Sequence, residues 1–273
     1  MKVNNLEFKD TWAIILGGSS GFGLAAVEQM AAHGMNIAAL YRETTISDKK
    51  IKGYFEDLAN THKVVIDAHN LNALDEETRK NFIKNFQKKI AEKQKVKLLL
   101  HSIARGNLKP LVIKNTTSNK NQELLSKDDI QLTTYAMSTS LLDWARSLLE
   151  AELFENDARI IGLTSEGAHK FWDGYAAVSI AKSSLESLAA YMAVEFGMYG
   201  LRTNLIQAGI TQTPSLNRIP GSEKLLAIAK KRNPLGRITL PEDVAKVIYL
   251  LCKKESAWIN GSLIHVDGGE HCR

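Results

Sequence analysis

The sequence predicts a single α/β domain built on a parallel sheet that helices cover on both faces. Short apolar runs rich in β-branched residues alternate with longer amphipathic stretches, which is typical of strands and helices that follow one another along a chain. The chain has 273 residues, 44% of them hydrophobic and 24% charged, which suits one globular core. No internal repeat or interdomain linker is apparent, so residues 1–273 are predicted to form one domain.

The predicted strands are apolar runs of four or five residues that can be buried on both sides. They are Ala13–Leu16, Asn36–Leu40, Lys63–Ile66, Val96–Leu100, Arg159–Leu163, Thr203–Ile206 and Leu263–Val266. Crossovers between parallel strands are right-handed, so about seven strands should form a doubly wound sheet whose ligands bind beyond the carboxyl ends.

Amphipathic stretches between these strands predict helices. They are Leu24–His33, Glu76–Glu92, Tyr135–Leu153, Gly174–Phe196 and Pro241–Lys253. Thr44–Asn60 and Gly106–Asp129 lack apolar periodicity and are assigned neither helix nor strand. The second is predicted to hold a long surface loop near the mouth of the site.

A glycine-rich turn follows the first predicted strand and opens the first predicted helix. Its residues, all but Gly18 predicted to contact a cofactor, are Gly17, Gly18, Ser19, Ser20, Gly21, Phe22 and Gly23. Gly17 permits a tight turn, Gly21 lets the backbone approach a pyrophosphate, and Gly23 allows close packing of helix on strand. This context favours a Rossmann-type nucleotide site over an ordinary strand-to-helix turn, which is the alternative.

The end of the second predicted strand bears on the choice of nicotinamide cofactor. A carboxylate there usually binds the adenosine ribose of NAD(H), whereas Arg42 follows this strand directly. A guanidinium binds a 2′-phosphate through two hydrogen bonds, so Arg42 favours NADPH. An exposed arginine without such a role is the alternative, and Glu43 leaves room for NADH.

Two further strand ends supply candidate contacts to adenosine. Asp67 follows the third predicted strand and is a candidate acceptor for the adenine amino group, with a role in a surface turn as the alternative. The fourth strand ends in His101, Ser102, Ile103 and Ala104. We expect the backbone of the last three to pass under the adenine ribose, and His101 to be structural.

Over nearly its whole length the chain resembles the short-chain dehydrogenase/reductase family. Beyond the glycine turn, the resemblance rests on Tyr175, on Lys182 and on three later motifs. These motifs are Arg202-Thr203-Asn204, Pro241-Glu242-Asp243-Val244-Ala245 and Val266-Asp267-Gly268-Gly269. Ordinary members carry Tyr-x3-Lys, but Val178 stands four residues before Lys182. Tyr175 instead gives Tyr-x6-Lys, which is similar to the divergent branch best known from enoyl-acyl-carrier-protein reductases, as are residues 101–103 and 208–213.

The longer spacing between tyrosine and lysine suits enoyl reduction. Seven helical residues span about 10.5 Å and return to nearly the same face. When hydride adds to the β-carbon of an enoyl thioester, negative charge collects on the thioester oxygen, several bonds away. Tyr175 is predicted to hydrogen-bond that oxygen, while Lys182 binds the nicotinamide ribose and adds a positive field. The alternative is that both residues belong to one packing stripe.

Two serines depart from the family patterns. Ser165 lies ten residues before Tyr175, where the best-known enoyl reductases carry a second tyrosine, and it also falls where ordinary members place a catalytic serine. It is a candidate for orienting substrate, with capping of the next turn as the alternative. Ser140 is the nearest counterpart of the asparagine of ordinary members, or simply a buried hydroxyl in a helix.

The turn after the sixth predicted strand is expected to bind the far end of the cofactor. The resemblance implies that backbone groups around Gly209 and Ile210 clasp the nicotinamide carboxamide. It also implies that Thr213 reaches a cofactor phosphate.

Residues 211–231 are predicted to form a substrate lid. Pro214, Pro220 and Gly221 suit a loop that folds over a ligand. Four apolar residues of this lid either line an acyl channel or contact the core: Leu216, Ile219, Leu225 and Leu226.

Charge, cysteine content and hydropathy argue against several other classes of protein. The net charge is +5, and the lysines of 84–97 and 230–232 are interpreted as solvated faces, or a rim that steers an anionic carrier, rather than a nucleic-acid surface. Cys252 and Cys272 form no metal-ligand or disulfide pattern, so no metal is predicted. Residues 1–10 do not resemble a signal peptide and no run suits a membrane span, so a cytoplasmic protein is expected.

The leading prediction is NADPH-dependent reduction of a trans-2-enoyl thioester, carried on acyl carrier protein or coenzyme A, in fatty-acid or related biosynthesis. The alternatives are a reductase of 3-ketoacyl thioesters or other carbonyls, and a nucleotide-binding protein without catalysis. The family resemblance implies a homotetramer or homodimer formed through the helices of 135–153 and 174–196.

Overall fold

The computed structural model describes residues 7–113, 123–219 and 221–273, and these residues form the predicted parallel α/β sheet. Strands β1 to β7 are Thr11–Leu16, Asn36–Tyr41, Ile66–Asn70, Lys95–His101, Phe154–Ser165, Arg202–Ala208 and Leu263–Val266. Helices α1 to α8 are Gly21–Ala32, Thr45–His62, Glu76–Lys89, Lys127–Thr134, Ser140–Glu150, Ala176–Glu195, Ser222–Arg232 and Pro241–Cys252.

The order of the strands places a crevice at the carboxyl ends of β1 and β4. The sheet runs β3-β2-β1-β4-β5-β6-β7, with every neighbouring pair parallel. The chain therefore builds outward from β1 in one direction and from β4 in the other, which is the switch point where such sheets bind ligands. Leu16 is level with Leu40 in β2 and with His101 in β4, so the segments that follow these strands meet at one edge.

Apolar residues on both faces of the sheet explain why each face is covered by a layer of helices. Ile14 and Leu16 belong to one buried cluster, whereas Ala13 and Ile15 belong to another on the opposite face. Helices α3 and α5 pack on the first face, and α1 and α8 on the second. All four of these β1 side chains are fully buried. Burial of each large apolar side chain contributes about 1.5–3 kcal/mol to the free energy of folding.

The third strand lies further along the chain than predicted. Lys63 ends α2 in a left-handed conformation with φ 58°, the two valines that follow it lead into the sheet, and β3 begins only at Ile66. This strand forms the edge of the sheet and is only partly buried. An edge strand can carry polar residues, as β3 does. The apolar run over 63–66 therefore predicted a strand, but with the wrong bounds.

Helices α2 and α4 occupy stretches that were assigned no element. Only Phe55 is buried in α2, so the helix has almost no apolar stripe to detect. Helix α4 starts at a capping box, in which Ser126 and Asp129 bind each other's backbone N–H. The predicted helix 135–153 is divided, because residues Tyr135–Thr139 form a π-helical turn and α5 ends at Glu150.

Parts of two predicted loops lie outside the described residues. These are residues 114–122 of the predicted surface loop and Pro220 of the predicted lid. Among the helices that the structure describes, none is both long enough and apolar enough to cross a membrane.

Candidate active site

The glycine-rich turn is packed so tightly that no side chain fits at two of its glycines. Gly17 has φ +92°, and a Cβ there would collide with the Ser102 carbonyl. A Cβ on Gly23 would overlap the carbonyl oxygen of Gly17. Ser20 precedes α1 in an extended conformation without a side-chain cap, so the first N–H groups of the helix keep their capacity to bind an anion. These features fit a phosphate-binding turn.

The segment after β2 brings Glu43 to the glycine turn. The Ser19 hydroxyl donates to the Glu43 carboxylate at 3.0 Å. The amide of Asn70, at the end of β3, fixes the Glu43 backbone through bonds of 2.9 and 3.0 Å. Arg42 follows β2 as predicted and its side chain is exposed. Both residues that bear on cofactor choice therefore stand at this end of the crevice.

Asp67 lies away from the glycine turn, contrary to the predicted position after a strand. It is inside β3, opposite Ala38, on the face that α3 covers. Its carboxylate binds His69 at 2.9 Å and Lys89 at 2.8 Å. Burial opposes ionisation, but these two hydrogen bonds outweigh it and lower the pKa of Asp67 to about 2. The shift of β3 along the chain removes this side chain from the edge where Asn70 now stands.

The end of β4 is placed as predicted. The N–H of Ser102 donates to the carbonyl of Leu16 at 2.8 Å, which brings the backbone of 102–104 against the glycine turn. Ile103 packs on the core, and Ala104 lines the central cavity.

Buried His101 contacts the start of α5 and is not among the residues that line the cavity. Its Nε2 lies 2.8 Å from the Ser140 hydroxyl, and Ser140 in turn donates to the Ala136 carbonyl. Burial, with a smaller effect of the nearby Lys182 charge, lowers the pKa of His101 to about 3. A neutral, fully buried imidazole agrees with the structural role expected of it.

Tyr175 and Ser165 are brought side by side. Tyr175 stands immediately before α6, with φ −94° and ψ 5°. The helix predicted over 174–196 therefore starts later than expected, and Tyr175 lies just outside it. Its ring lies beside Ser165, the last residue of β5, since a Cβ built on Gly167 would stand 2.5 Å from the ring and 3.4 Å from the Ser165 hydroxyl. Ser165 accepts from the N–H of Gly167 at 3.1 Å, so it also caps the next turn. Burial raises the pKa of Tyr175, and the neighbouring Ser165 hydroxyl offsets part of this rise.

Lys182 is buried beneath the same site. Its ammonium group donates to the Leu163 carbonyl at 2.7 Å. Burial lowers the pKa of Lys182 to about 8, and the charge of Glu186 acts weakly against this change. One hydrogen bond from the protein leaves further N–H groups of this cation able to bind a ribose.

The turn after β6 lies beside the glycine turn. A Cβ built on Gly21 would stand 3.3 Å from the Thr213 methyl group, so Thr213 is close enough to approach a phosphate held there. The N–H of Gly209 donates to Val266, and that of Ile210 donates to the carboxylate of Glu270 at 3.2 Å.

These segments enclose a cavity of about 470 Å³. Tyr175, Val178 and Ser165 line one side of it, and the predicted lid lines another. Among the apolar lid residues, Leu216, Ile219 and Leu225 line the cavity, whereas Leu226 is absent from its wall. An apolar chamber beside a hydroxyl and a buried cation is suited to an acyl chain whose polar end lies near Tyr175.

Several residues of the site carry no signal in the sequence. Gly167 is one, because a Cβ there would stand 2.5 Å from the Tyr175 ring. Glu166, Arg232 and Glu270 also line the cavity and form an ion-paired cluster. Arg232 is 66 residues from Glu166 and 38 residues from Glu270 in the sequence. Residue spacing does not predict an ion pair over such separations.

Among the described residues, no cluster of histidine, cysteine or acidic side chains suits a metal ion. The site thus consists of a tight glycine-rich turn, a tyrosine beside a serine, a buried lysine and a largely apolar cavity. Together with the sheet order, this is the arrangement of a short-chain dehydrogenase/reductase.

Comparison with known proteins assigns the chain more closely. The family model for enoyl-(acyl carrier protein) reductase matches residues 17–271. The chain belongs to this family.

Curated relatives match parts of the chain. It is 36% identical over 132 residues to the enoyl-acyl-carrier-protein reductase (NADH) of Aquifex aeolicus, a match that covers 48% of each chain. It is 30% identical over 173 residues to the corresponding Bacillus subtilis protein, covering 63% of this chain and 64% of that one. The aligned segments thus span from about half to just under two thirds of these relatives.

Solved structures share the fold over the whole chain. The crystal structure of the Aquifex aeolicus enzyme has a TM-score of 0.79 at 24% identity and covers 97% of this chain and 98% of that one. The Bacillus cereus enoyl-acyl carrier protein reductase, solved with NADP+ and an indole naphthyridinone, has a TM-score of 0.82 at 21% identity, with coverages of 98% and 99%.

Proposed function

We propose that the protein reduces the double bond of a trans-2-enoyl thioester, carried on acyl carrier protein or coenzyme A, with NADPH as electron donor. The observation that carries this proposal is the placement of the Tyr175 hydroxyl at the wall of an apolar cavity, seven residues before the buried Lys182. The curated relatives named as enoyl-acyl-carrier-protein reductases support it.

The residues of the site have distinct tasks in this reaction. When bound, the nicotinamide would supply hydride to the β-carbon of the substrate, and the α-carbon would take a proton from solvent, so that one hydride and one proton saturate the double bond. The Tyr175 hydroxyl donates a hydrogen bond to the thioester oxygen as negative charge develops there. Lys182 binds the ribose and places a positive charge beneath the tyrosine, which stabilises the same oxygen.

The choice of NADPH rests on Arg42. Its exposed guanidinium follows β2, where it can bind a 2′-phosphate. Glu43, held by Ser19, is the group that allows NADH to bind through the ribose hydroxyls. The curated relatives carry NADH in their names, so both cofactors belong in the first assay.

The surface supports the proposed partners. The lid and α7 expose Arg218, Lys224 and Lys230, which suits an anionic carrier of the acyl chain. Helix α6 exposes Ile180, Tyr191 and Val194, an apolar strip that suits the proposed pairing of subunits in a homodimer or homotetramer. The proposed setting is cytoplasmic.

One observation favours a second function, the reduction of a 3-ketoacyl thioester or other carbonyl. Ser165 stands beside Tyr175 at the cavity, and serine and tyrosine are the two residue types that ordinary short-chain reductases use on a ketone oxygen. Here the tyrosine would act from an unusual position, because Val178 occupies the usual one.

A direct comparison of substrates tests both proposals. Consumption of NADPH and of NADH is measured with a trans-2-enoyl thioester and with the matching 3-ketoacyl thioester, using wild type, Tyr175→Phe and the exposed control Tyr199→Phe. Enoyl turnover that falls by a factor of about 100 in Tyr175→Phe alone supports enoyl reduction. Turnover of the keto substrate only would establish the second function, and cofactor binding without any turnover would indicate a non-catalytic protein.

A further inference from the structure

The lid helix α7 is only weakly packed on the rest of the protein. Ala229 is the one residue of this helix that is buried, and Ile228 is 51% exposed. Leu225 lines the cavity and belongs to none of the buried apolar clusters. Hydrophobic contacts therefore contribute little to the position of this helix, and another interaction must hold it.

That interaction is formed by Arg232, the last residue of α7. Its guanidinium binds the Glu166 carboxylate at 2.5 Å and the Glu270 carboxylate at 2.6 Å through the same nitrogen. Glu166 directly follows Ser165 at the end of β5, and Glu270 lies in the short 3-10 helix after β7. One cation thus joins the lid to two segments of the site.

Glu270 extends this connection to the turn after β6. Its second carboxylate oxygen accepts the Ile210 N–H at 3.2 Å. Only a glycine fits beside it, since a Cβ on Gly209 would stand 2.8 Å from that oxygen. The Glu270 side chain is 2% exposed, so it can neither move aside freely nor exchange Arg232 for water.

The two carboxylates depend on Arg232 to different degrees. Glu166 has a second cation, Lys170, at 2.6 Å. Burial would raise the pKa of Glu166, but its bonds to Lys170 and Arg232 lower it below the ordinary value. Glu270 pairs with Arg232 alone among the described cations, so loss of Arg232 leaves a buried carboxylate without a counter-charge.

We propose that Arg232 is a positioning residue that holds the substrate lid over the cavity and, through Glu270, fixes the turn that carries Ile210. The anchoring of the lid follows from the contacts of Arg232, whereas its effect on an acyl substrate rests on the proposed function. Loss of the cation should release α7 and loosen the turn without changing the groups at Tyr175.

Two matched variants test this proposal. Arg232→Met removes the cation and keeps an unbranched side chain, and Lys231→Met makes the same change at the exposed neighbour. Native protein is digested with a protease of broad specificity, and the cleavage sites are mapped by mass. Cleavage within residues 211–231 should be about tenfold faster in Arg232→Met than in wild type, because cleavage tracks the opened population. Lys231→Met should match wild type.

Steady-state kinetics supply the second measurement. With the trans-2-enoyl thioester, Arg232→Met should raise KM about tenfold and change kcat much less, since the lid contributes to binding rather than to the reacting groups. Arg232→Lys retains the charge and should recover most of both effects, which keeps the test valid if the methionine variant folds poorly.

The outcomes separate this proposal from the proposed function. Equal lid cleavage in Arg232→Met and Lys231→Met would overturn the anchoring role of Arg232. Faster lid cleavage in a protein that reduces no enoyl thioester would support the anchor and contradict only the proposed substrate. An unchanged KM in an active enzyme would contradict the role of the anchor in substrate binding.

Discussion

Ser165 and Tyr175 lie side by side at the cavity, although one ends a strand and the other precedes a helix. Gly167 makes this contact feasible, because the tyrosine ring lies where its side chain would be. The phenol is thereby held at the cavity wall before any substrate arrives, which is the preorganisation that stabilisation of a developing oxyanion requires.

Replacement of Ser165 should alter the acidity of the tyrosine. The neighbouring Ser165 hydroxyl lowers the pKa of Tyr175 against the effect of burial, so Ser165→Ala should raise that pKa. We expect kcat to fall about tenfold and the alkaline limb assigned to the tyrosine to move to higher pH. The measurement is a pH profile of kcat. Ser183→Ala is the control, since that hydroxyl binds only the Ala168 carbonyl outside the cavity. A limb that moves to lower pH would contradict the assignment.

Lys182 should give the enzyme an alkaline limit. Burial lowers the pKa of Lys182 to about 8, and the charged form is needed to bind ribose and to stabilise the oxyanion. In the free enzyme kcat/KM should therefore decrease as pH rises through about 8. The profile is measured for wild type and for Lys182→Arg, whose cation does not titrate in this range. A limb that persists unchanged in the arginine variant would rule out Lys182 as its source.

The same shift affects stability with the opposite sign. Because the folded state favours the neutral amine, unfolding takes up a proton between pH 8 and the ordinary value of 10.5, and stability should increase with pH in that interval. Urea unfolding of wild type and Lys182→Met at both ends of the interval measures this contribution. A wild-type increase no larger than that of the methionine variant would contradict it.

The sequence predicts the buried parts of the fold well and the surface parts poorly. Strands such as β1 are apolar on both faces, and a short run of that kind is typical of a strand in the middle of a parallel sheet. Edge strand β3 and helix α2 lack this pattern, because one side of each faces solvent and Phe55 alone is buried in α2. Because the predicted third strand ended too early, Asp67 was assigned to the site, whereas in the structure it lies inside β3. An error of a few residues in a strand thus changes a functional assignment.

The site divides in the same way. The conformation of a tight turn depends on residues that are adjacent in the sequence. The spacing of Gly17, Gly21 and Gly23 therefore predicts the glycine turn. The bridge from Arg232 to Glu166 and Glu270 depends on three segments that only the folded sheet brings together. Charged residues of this kind resemble any solvated face until their partners are known.

Cofactor preference should respond in opposite directions to two neighbouring substitutions. Arg42→Ala removes the candidate ligand of the 2′-phosphate. It should weaken the binding of NADPH about tenfold without affecting the binding of NADH. Glu43→Ala removes the carboxylate beside Ser19 and should weaken NADH while NADPH is retained or improved. Dissociation constants of wild type and both variants for both cofactors, measured by nicotinamide fluorescence, give the six values needed. Parallel changes for both cofactors would show that neither residue discriminates.

The glycine turn allows a test of cofactor binding with an internal control. A methyl group on Gly23 would overlap the Gly17 carbonyl, so Gly23→Ala should move α1 and weaken either cofactor by a factor of about 10–100. Gly53 lies in α2 with no atom within 4 Å of a built Cβ. Gly53→Ala should leave cofactor binding unchanged and stabilise the protein by about 0.8–1 kcal/mol, the usual gain in a helix interior. Equal affinity in both variants would contradict a phosphate-binding role for this turn.

Gly167 should prove essential for turnover and dispensable for cofactor binding. A Cβ there would stand 2.5 Å from the Tyr175 ring and 3.4 Å from the Ser165 hydroxyl, so Gly167→Ala must displace the phenol. Misplacement of a reacting group by about 1 Å costs up to about a hundredfold in rate, and we expect kcat to fall accordingly. The glycine turn is remote from this contact, so the dissociation constant of the cofactor should not change. Gly53→Ala again serves as the control, and wild-type kcat in Gly167→Ala would show that the tyrosine does not act from the position it occupies in the structure.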